Sequence, residues 1–159
     1  MTDRRSIEAA FHRVRQELGI RTGFPPEVEE AAEAAAIREE WRADPARQDL
    51  TGLPFVTIDP PGSRDLDQAV HLEREGELLR VRYAIADVGA FVDRGSLIEE
   101  EAWRRGVTFY SPDRRDPLYP PALAQAAASL LPDGDRPAVV FDLHLDRVGE
   151  LVRGRVFPA

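Results

Sequence analysis

The sequence predicts an α+β domain, a mainly antiparallel sheet with flanking helices, on three observations. Apolar residues recur at helical spacing through the first fifty positions, and the period changes to two from Leu53 onward. The alternating segments "QAVHLE" and "LRVRYAIADV" meet at the Gly76 turn, and "VVFDLHLD" and "LVRGRVFPA" read as another hairpin, which suggests a mainly antiparallel sheet. Between the alternating segments lies one stretch with complete helix start and stop signals, "SLIEEEAWRRG".

Taken in order, Ser6 can cap a helix in which Ile7, Phe11, Val14 and Leu18 share a face and which Gly19 ends. Pro25 and Pro26 can open a second helix, "EVEEAAEAAAIREEW", whose glutamates read as a solvated face. "RADPARQDL" then reads as a linker, so residues 1–50 are expected to form a helical arm and residues 51–159 the domain proper. "PFVTI" reads as a short buried strand, and "QAVHLE" and "LRVRYAIADV" as a hairpin about Gly76. Ser96 with Glu99 makes a capping box and Gly106 ends that helix. A further helix is expected through "PALAQAAASLL". "VVFDLHLD" alternates Phe141, Leu143 and Leu145 against Asp142, His144 and Asp146, which places the polar set, His144 included, on the outward side; His71 is placed outward as well. "LVRGRVFPA" completes a last hairpin with nothing after it to cover the edge, so the domain is expected to be cut short.

Composition narrows the function. The 159 residues are 43% hydrophobic, which suits one domain with a core. No stretch approaches the ~18 uninterrupted apolar residues of a membrane helix, and "MTDRRSIEAAF" lacks the apolar core of a signal peptide, so a cytoplasmic protein is expected. With no cysteine, any metal must be held by oxygen or histidine, which points to a hard cation such as Mg²⁺ or Mn²⁺. A net charge of −8 argues against a surface that coats nucleic acid generally, so any such contact is local. All 21 basic residues are arginine, which fits a genomic base-composition bias and carries no function.

The densest chemistry lies in "FVTIDPPGSRDLDQAV", where Asp59, Asp65 and Asp67 surround a Pro-Pro-Gly turn. The turn can bring Asp59 back beside Asp65 and Asp67, and an Asp-x-Asp pair in extended chain points both side chains to one side. Like charges this close disfavour ionisation unless a cation relieves them. Two readings follow from the spacing: ordinary turn aspartates that bond their own backbone, or oxygen donors for a divalent ion in phosphoryl hydrolysis. The pattern is not a calcium loop, because the Glu that closes one is absent.

"TIDPPGSRDLDQAV", "YAIADVGAFV", "EAWRRGVTFYSPDRRDPLYPPAL" and "SLLPDGDRPAV", in this order, resemble the opening half of the catalytic domain of the ribonuclease II family. The resemblance implies a 3′–5′ exoribonuclease that hydrolyses single-stranded RNA from its 3′ end to nucleoside 5′-monophosphates with Mg²⁺, or with Mn²⁺ in its place. It assigns Asp59, Asp65 and Asp67 to three of the four acidic positions around the metal, with Asp65 and Asp67 in the catalytic set. Gln68 stands at the fourth, keeping an oxygen and losing a charge. Tyr110 matches an aromatic that stacks on the 3′-terminal base, and Arg64 and Arg114 are candidates for phosphate contacts. Asp87 is expected to be a structural carboxylate. The resemblance also implies a second half of the domain, absent from these residues, as a segment or chain that completes the site. The competing reading is a non-catalytic RNA- or protein-binding remnant of such a domain, for which Gln68 speaks. A third is the product of an interrupted reading frame.

Overall fold

Residues with strand-period alternation and residues with helical period separate into a sheet and a helical layer. The computed structural model describes residues 4–132 and 134–159, with side chains from Ile7 onward. Two helices come first, α1 (Arg4–Glu17) and α2 (Pro26–Ala36), then the hairpin β1 (Gln68–Glu75) and β2 (Leu78–Ala86). Helix α3 (Leu97–Arg105) and a two-residue hairpin, β3 (Phe109–Tyr110) and β4 (Arg115–Asp116), follow, and β5 (Ala138–Leu145) and β6 (Leu151–Pro158) end the chain. The large sheet is antiparallel throughout, in the order β1-β2-β5-β6. It is the α+β fold expected from the sequence.

The local signals explain most boundaries. Ser96 Oγ accepts the Glu99 backbone N–H at 3.2 Å, Glu99 Oε2 reaches back to the Gly95 N–H, and Gly106 at φ 76° ends α3. Pro26 occupies the first turn of α2, where its missing N–H costs nothing. Four expectations need correction. Helix α1 begins at Arg4, so Ser6 lies in its first turn and not at its cap. Helix α2 stops at Ala36, and Trp41 belongs to a separate 3₁₀ turn, Glu40–Ala43. "PALAQAAASLL" is helical over residues 121–127 alone, most of it one wide π-type turn, Leu123–Ala127, closed by the Ala128 N–H on the Leu123 carbonyl. "PFVTI" is not a buried strand: a single bridge, Val56 to Val70, ties it outside β1, and while Phe55 packs on the sheet cluster, Val56 and Ile58 alternate away from it and are 56% and 87% exposed.

The largest correction concerns β5. Asp142 and His144 lie on the buried face, at 1% and 6% exposure, while Phe141, Leu143 and Leu145 point to the more open one. Register explains it: His71, Arg82, Asp142 and Arg155 stand in one cross-strand row, and Glu73, Arg80, His144 and Arg153 in the next. Asp142 receives Arg80 Nε at 2.7 Å and Nη2 at 2.8 Å and Arg155 Nε at 3.1 Å, and His144 Nε2 lies 3.1 Å from Glu75. Paired carboxylates and guanidiniums can be buried where single charges cannot. His71 is half-buried, with its ring 5.9 Å from that of Phe55.

Two apolar clusters hold the layers. Ala69, Ala84, Ala138, Val140 and Phe157 on the sheet pack against Leu50, Phe55 and Leu130. Ala32 and Ala35 of α2 share the other cluster with Phe91, Ile98, Leu123 and Ala128, so α2 is built into the core beside α3. Buried Glu101 of α3 reinforces this, pairing with Arg21 at 2.9 Å and Arg105 at 3.0 Å.

Candidate active site

The Pro-Pro-Gly turn forms as its residues dictate: Gly62 takes φ 86° and the Ser63 N–H closes on the Pro60 carbonyl at 3.1 Å. The chain then runs extended to β1. Leu66 is its anchor: the side chain is buried, its N–H donates to Ser129 Oγ at 2.9 Å, and its carbonyl accepts the Leu130 N–H. The Asp67 carbonyl accepts the Ala86 N–H at 2.9 Å. With Leu66 turned inward, Asp65 and Asp67 on either side of it turn outward together.

Two clefts meet at this pair. Asp65 and Asp67 line both; Tyr110, Arg115, Tyr119 and Gln125 line one, and Asp59, Gln68 and Tyr83 line the other. The turn therefore does bring Asp59 to the same cleft as the other two. The Asp67 carboxyl is pushed above the usual carboxylate range, first by loss of hydration in the cleft and then by the charges of Asp65 and Asp59, with Arg115 opposing. Asp65 is ion-paired to Arg115. The Gln68 side-chain oxygen accepts a hydrogen bond from the Tyr83 hydroxyl.

Tyr110 lies on β3 at the cleft rim, 71% exposed, so its ring face is open to a stacking partner. Arg114 points away to Asp116 at 3.0 Å. Arg64 is exposed and lines neither cleft. Asp87 pairs with Arg47 at 2.6 Å, and Arg47 also donates to the Ala159 carbonyl at 3.1 Å, which fits a structural role. Sequence reasoning passed over Arg115 and Tyr83. Arg115 was legible in principle, since "YSPDRR" reads as a tight hairpin that sets Arg115 opposite Tyr110; Tyr83 reaches Gln68 only through the pairing of β1 with β2.

The donor set suits a hard cation in chemistry: three carboxylates and an amide oxygen converge on two joined clefts, and two carboxylates make a third harder to ionise. In geometry the set is split. Among the described residues no three His, Cys, Asp or Glu side chains are gathered about one point, and the Asp65 carboxylate faces a guanidinium.

This sheet, with an acidic turn at the mouth of its first strand, is that of an RNB domain: the model of that family matches residues 47–159, and the chain belongs to the family. It is 37% identical over 133 residues to "Ribonuclease R" of Mycoplasma pneumoniae, covering 83% of this chain and 18% of that protein. It is 33% identical over 156 residues to "Ribonuclease R" of Thermotoga maritima, covering 97% of this chain and 22% of that protein. Among solved structures, Mycoplasma genitalium RNase R in complex with ribose-methylated single-stranded RNA superposes with a TM-score of 0.86 at 31% identity, over 92% of this chain and 23% of that one. The chain thus spans about a fifth of the length of the relatives it matches. No helix among the described residues is long and apolar enough to cross a membrane.

Proposed function

We propose that this chain is the acidic-site portion of a cytoplasmic 3′–5′ exoribonuclease that hydrolyses single-stranded RNA to nucleoside 5′-monophosphates with Mg²⁺, or Mn²⁺. The observation that carries the reading is the placement of Asp65 and Asp67 where two clefts join, with Tyr110 on one cleft and Asp59 and Gln68 on the other. Its relatives named Ribonuclease R, one of them solved with single-stranded RNA, support the substrate class.

Asp59, Asp65, Asp67 and the Gln68 oxygen would hold the metal. When bound, Mg²⁺ supplies charge for the scissile phosphate and acidifies an attacking water. Tyr110 stacks on the 3′-terminal base whatever its identity. Arg64 reaches the backbone phosphates, and Arg114 does so on leaving Asp116. The apolar sheet face around Leu72, Val152 and Val156 is the surface on which the remaining part of such a domain, or a completing chain, packs.

The test replaces the matching segment of the Thermotoga maritima enzyme with this chain and follows mononucleotide release from RNA with a 3′ single-stranded end. Cleavage that Asp67→Asn lowers by about 10²-fold or more, with RNA still bound, is the expected result. Cleavage undiminished by that change removes Asp67 from the mechanism. One observation favours a second reading, a non-catalytic binding unit: at the fourth position the Gln68 amide adds no charge and its oxygen is already engaged by Tyr83. RNA binding by the chimera without cleavage, unchanged by Gln68→Asp, is its signature.

A further inference from the structure

We propose that Arg115 is a built-in counter-cation of the acidic cluster, which competes with a divalent metal ion for Asp65 and passes to a substrate phosphate once the metal has taken its place. The proposal rests on the metal-dependent reading above. Its starting point is the split donor set: Asp65, which shares both clefts with Asp67, spends its carboxylate on Arg115.

Three features make that pair exchangeable and not a fixed strut. Arg115 is one-third exposed and Asp65 slightly less, so water competes for the bond and either side chain can leave it. The backbone beneath Arg115, by contrast, is tied down from the opposite side: buried Arg15 of α1 reaches the Ser111 hydroxyl at 2.5 Å, Asp113, and Asp116 at 3.2 Å. Movement of Arg115 is therefore a rotamer change on a held hairpin. Finally, the same hairpin sets Arg115 directly opposite Tyr110. A base stacked on Tyr110 would leave its phosphate between the two, within reach of a guanidinium that has let go of Asp65.

Among the described residues that line the Tyr110 cleft, Arg115 is the one cation, and Arg114 beside it, paired with Asp116, lines neither cleft. With Arg115 on Asp65 the cluster is partly neutralised without metal. A divalent ion must displace it and a guanidinium must find another anion, for which a phosphate offers matching two-oxygen geometry. Metal and RNA would thus favour each other's binding through one side chain.

The test titrates Mn²⁺ calorimetrically into the chain, into Arg115→Gln and into Asp67→Asn, with thermal melts to verify folding. Arg115→Gln is expected to bind Mn²⁺ about three- to tenfold more tightly, since a positive charge is removed and Asp65 is freed. Filter binding of a short single-stranded RNA, in Mn²⁺ and in chelator, supplies a second reading: the substitution should weaken RNA binding severalfold in Mn²⁺ and little in chelator. Arg115→Lys, which keeps the charge and loses the fork, should fall between. If the chain binds Mn²⁺ and Asp67→Asn abolishes it, but Arg115→Gln leaves affinity unchanged or weaker, Arg115 is a structural residue and the proposal fails while the metal reading stands. If the chain and Arg115→Gln both fail to bind Mn²⁺, both readings fall together.

Discussion

On one face of the four-stranded sheet Asp142 and His144 are almost wholly buried among Arg80, Arg82 and Arg155; on the other, Leu72 and Val156 are 57% and 55% exposed. The two faces come from the same strict alternation, yet polarity does not predict which is covered. The charged face is closed at one end by Leu50, Phe55 and Leu130 packing on Ala69, Ala84 and Val140, and at the other by its own arginines, laid over the carboxylates of Glu73, Glu75 and Asp142. The apolar face has no covering segment among the described residues. Burial followed from what lies over each face, and an apolar face left bare is a surface prepared for contact.

The largest effect that can break this comparison is at Asp142. Asp142→Ala removes the buried acceptor shared by Arg80 and Arg155, leaving Arg80 to Glu73 and Glu75 and Arg155 to water, which should cost about 1–3 kcal/mol in chemical denaturation. Its pH dependence has a definite sign. The Arg80 hydrogen bond, against burial and with help from Arg155, holds the Asp142 carboxyl far below the ordinary aspartate range. A carboxyl depressed in the folded state contributes in full above its unfolded value of about 3.9 and loses that contribution as pH falls towards its folded value. Stability should therefore decline below about pH 4, and Asp142→Asn should flatten that decline. It should not abolish it, because Glu101 and Asp113 are also depressed by arginines. An unchanged acid limb in the Asn form would mean that the charged face is wet.

How far the sequence could be read follows from the same comparison. Period and turn chemistry identified both long hairpins, the α3 capping box and the Asp59-to-Gln68 turn, because those signals are local. The outward assignment of His144 failed because the arginines that satisfy its row come from other strands and approach only through register. "PFVTI" failed for a related reason: composition suits a strand, but burial depends on what packs over its side chains, and Val56 and Ile58 are left exposed. Around the candidate site, the family resemblance pointed to the aspartates and Tyr110, which line the two clefts, whereas the Asp65–Arg115 pair, across fifty positions of chain, could not be read from the sequence.

A smaller effect tests the open face directly. Leu72→Lys, on the edge strand β1, should change stability by about 0.5 kcal/mol or less, because the side chain already meets water. The same change should lower any self-association driven by that face, which sedimentation velocity over a range of concentrations would register. A loss of 2 kcal/mol or more, on the order of a core substitution, would mean that Leu72 is covered in solution.

The smallest expected effect is at Gly154, where the two faces differ only in how much room they leave. Gly154 pairs with Leu143 on the open face, and a Cβ placed there would come within 3.0 Å of Leu143 Cδ2 and 3.7 Å of Leu151 Cδ1. In a packed interior that approach would force side chains off their rotamers, at about 1–3 kcal/mol. Here both neighbours are ends of flexible leucines, and Leu151 itself is exposed, so they can swing towards solvent. The backbone has no positive φ at this position, so alanine fits it without strain and reduces the freedom of the unfolded chain. The two contributions nearly cancel, and Gly154→Ala should be neutral to stabilising by about 0.5 kcal/mol in urea denaturation. If a longer chain or a partner covers this face, the same substitution should become destabilising in that assembly and remain harmless in the isolated chain. A cost above about 1 kcal/mol in the isolated chain would place Leu143 in a packed environment and remove the contrast between the two faces.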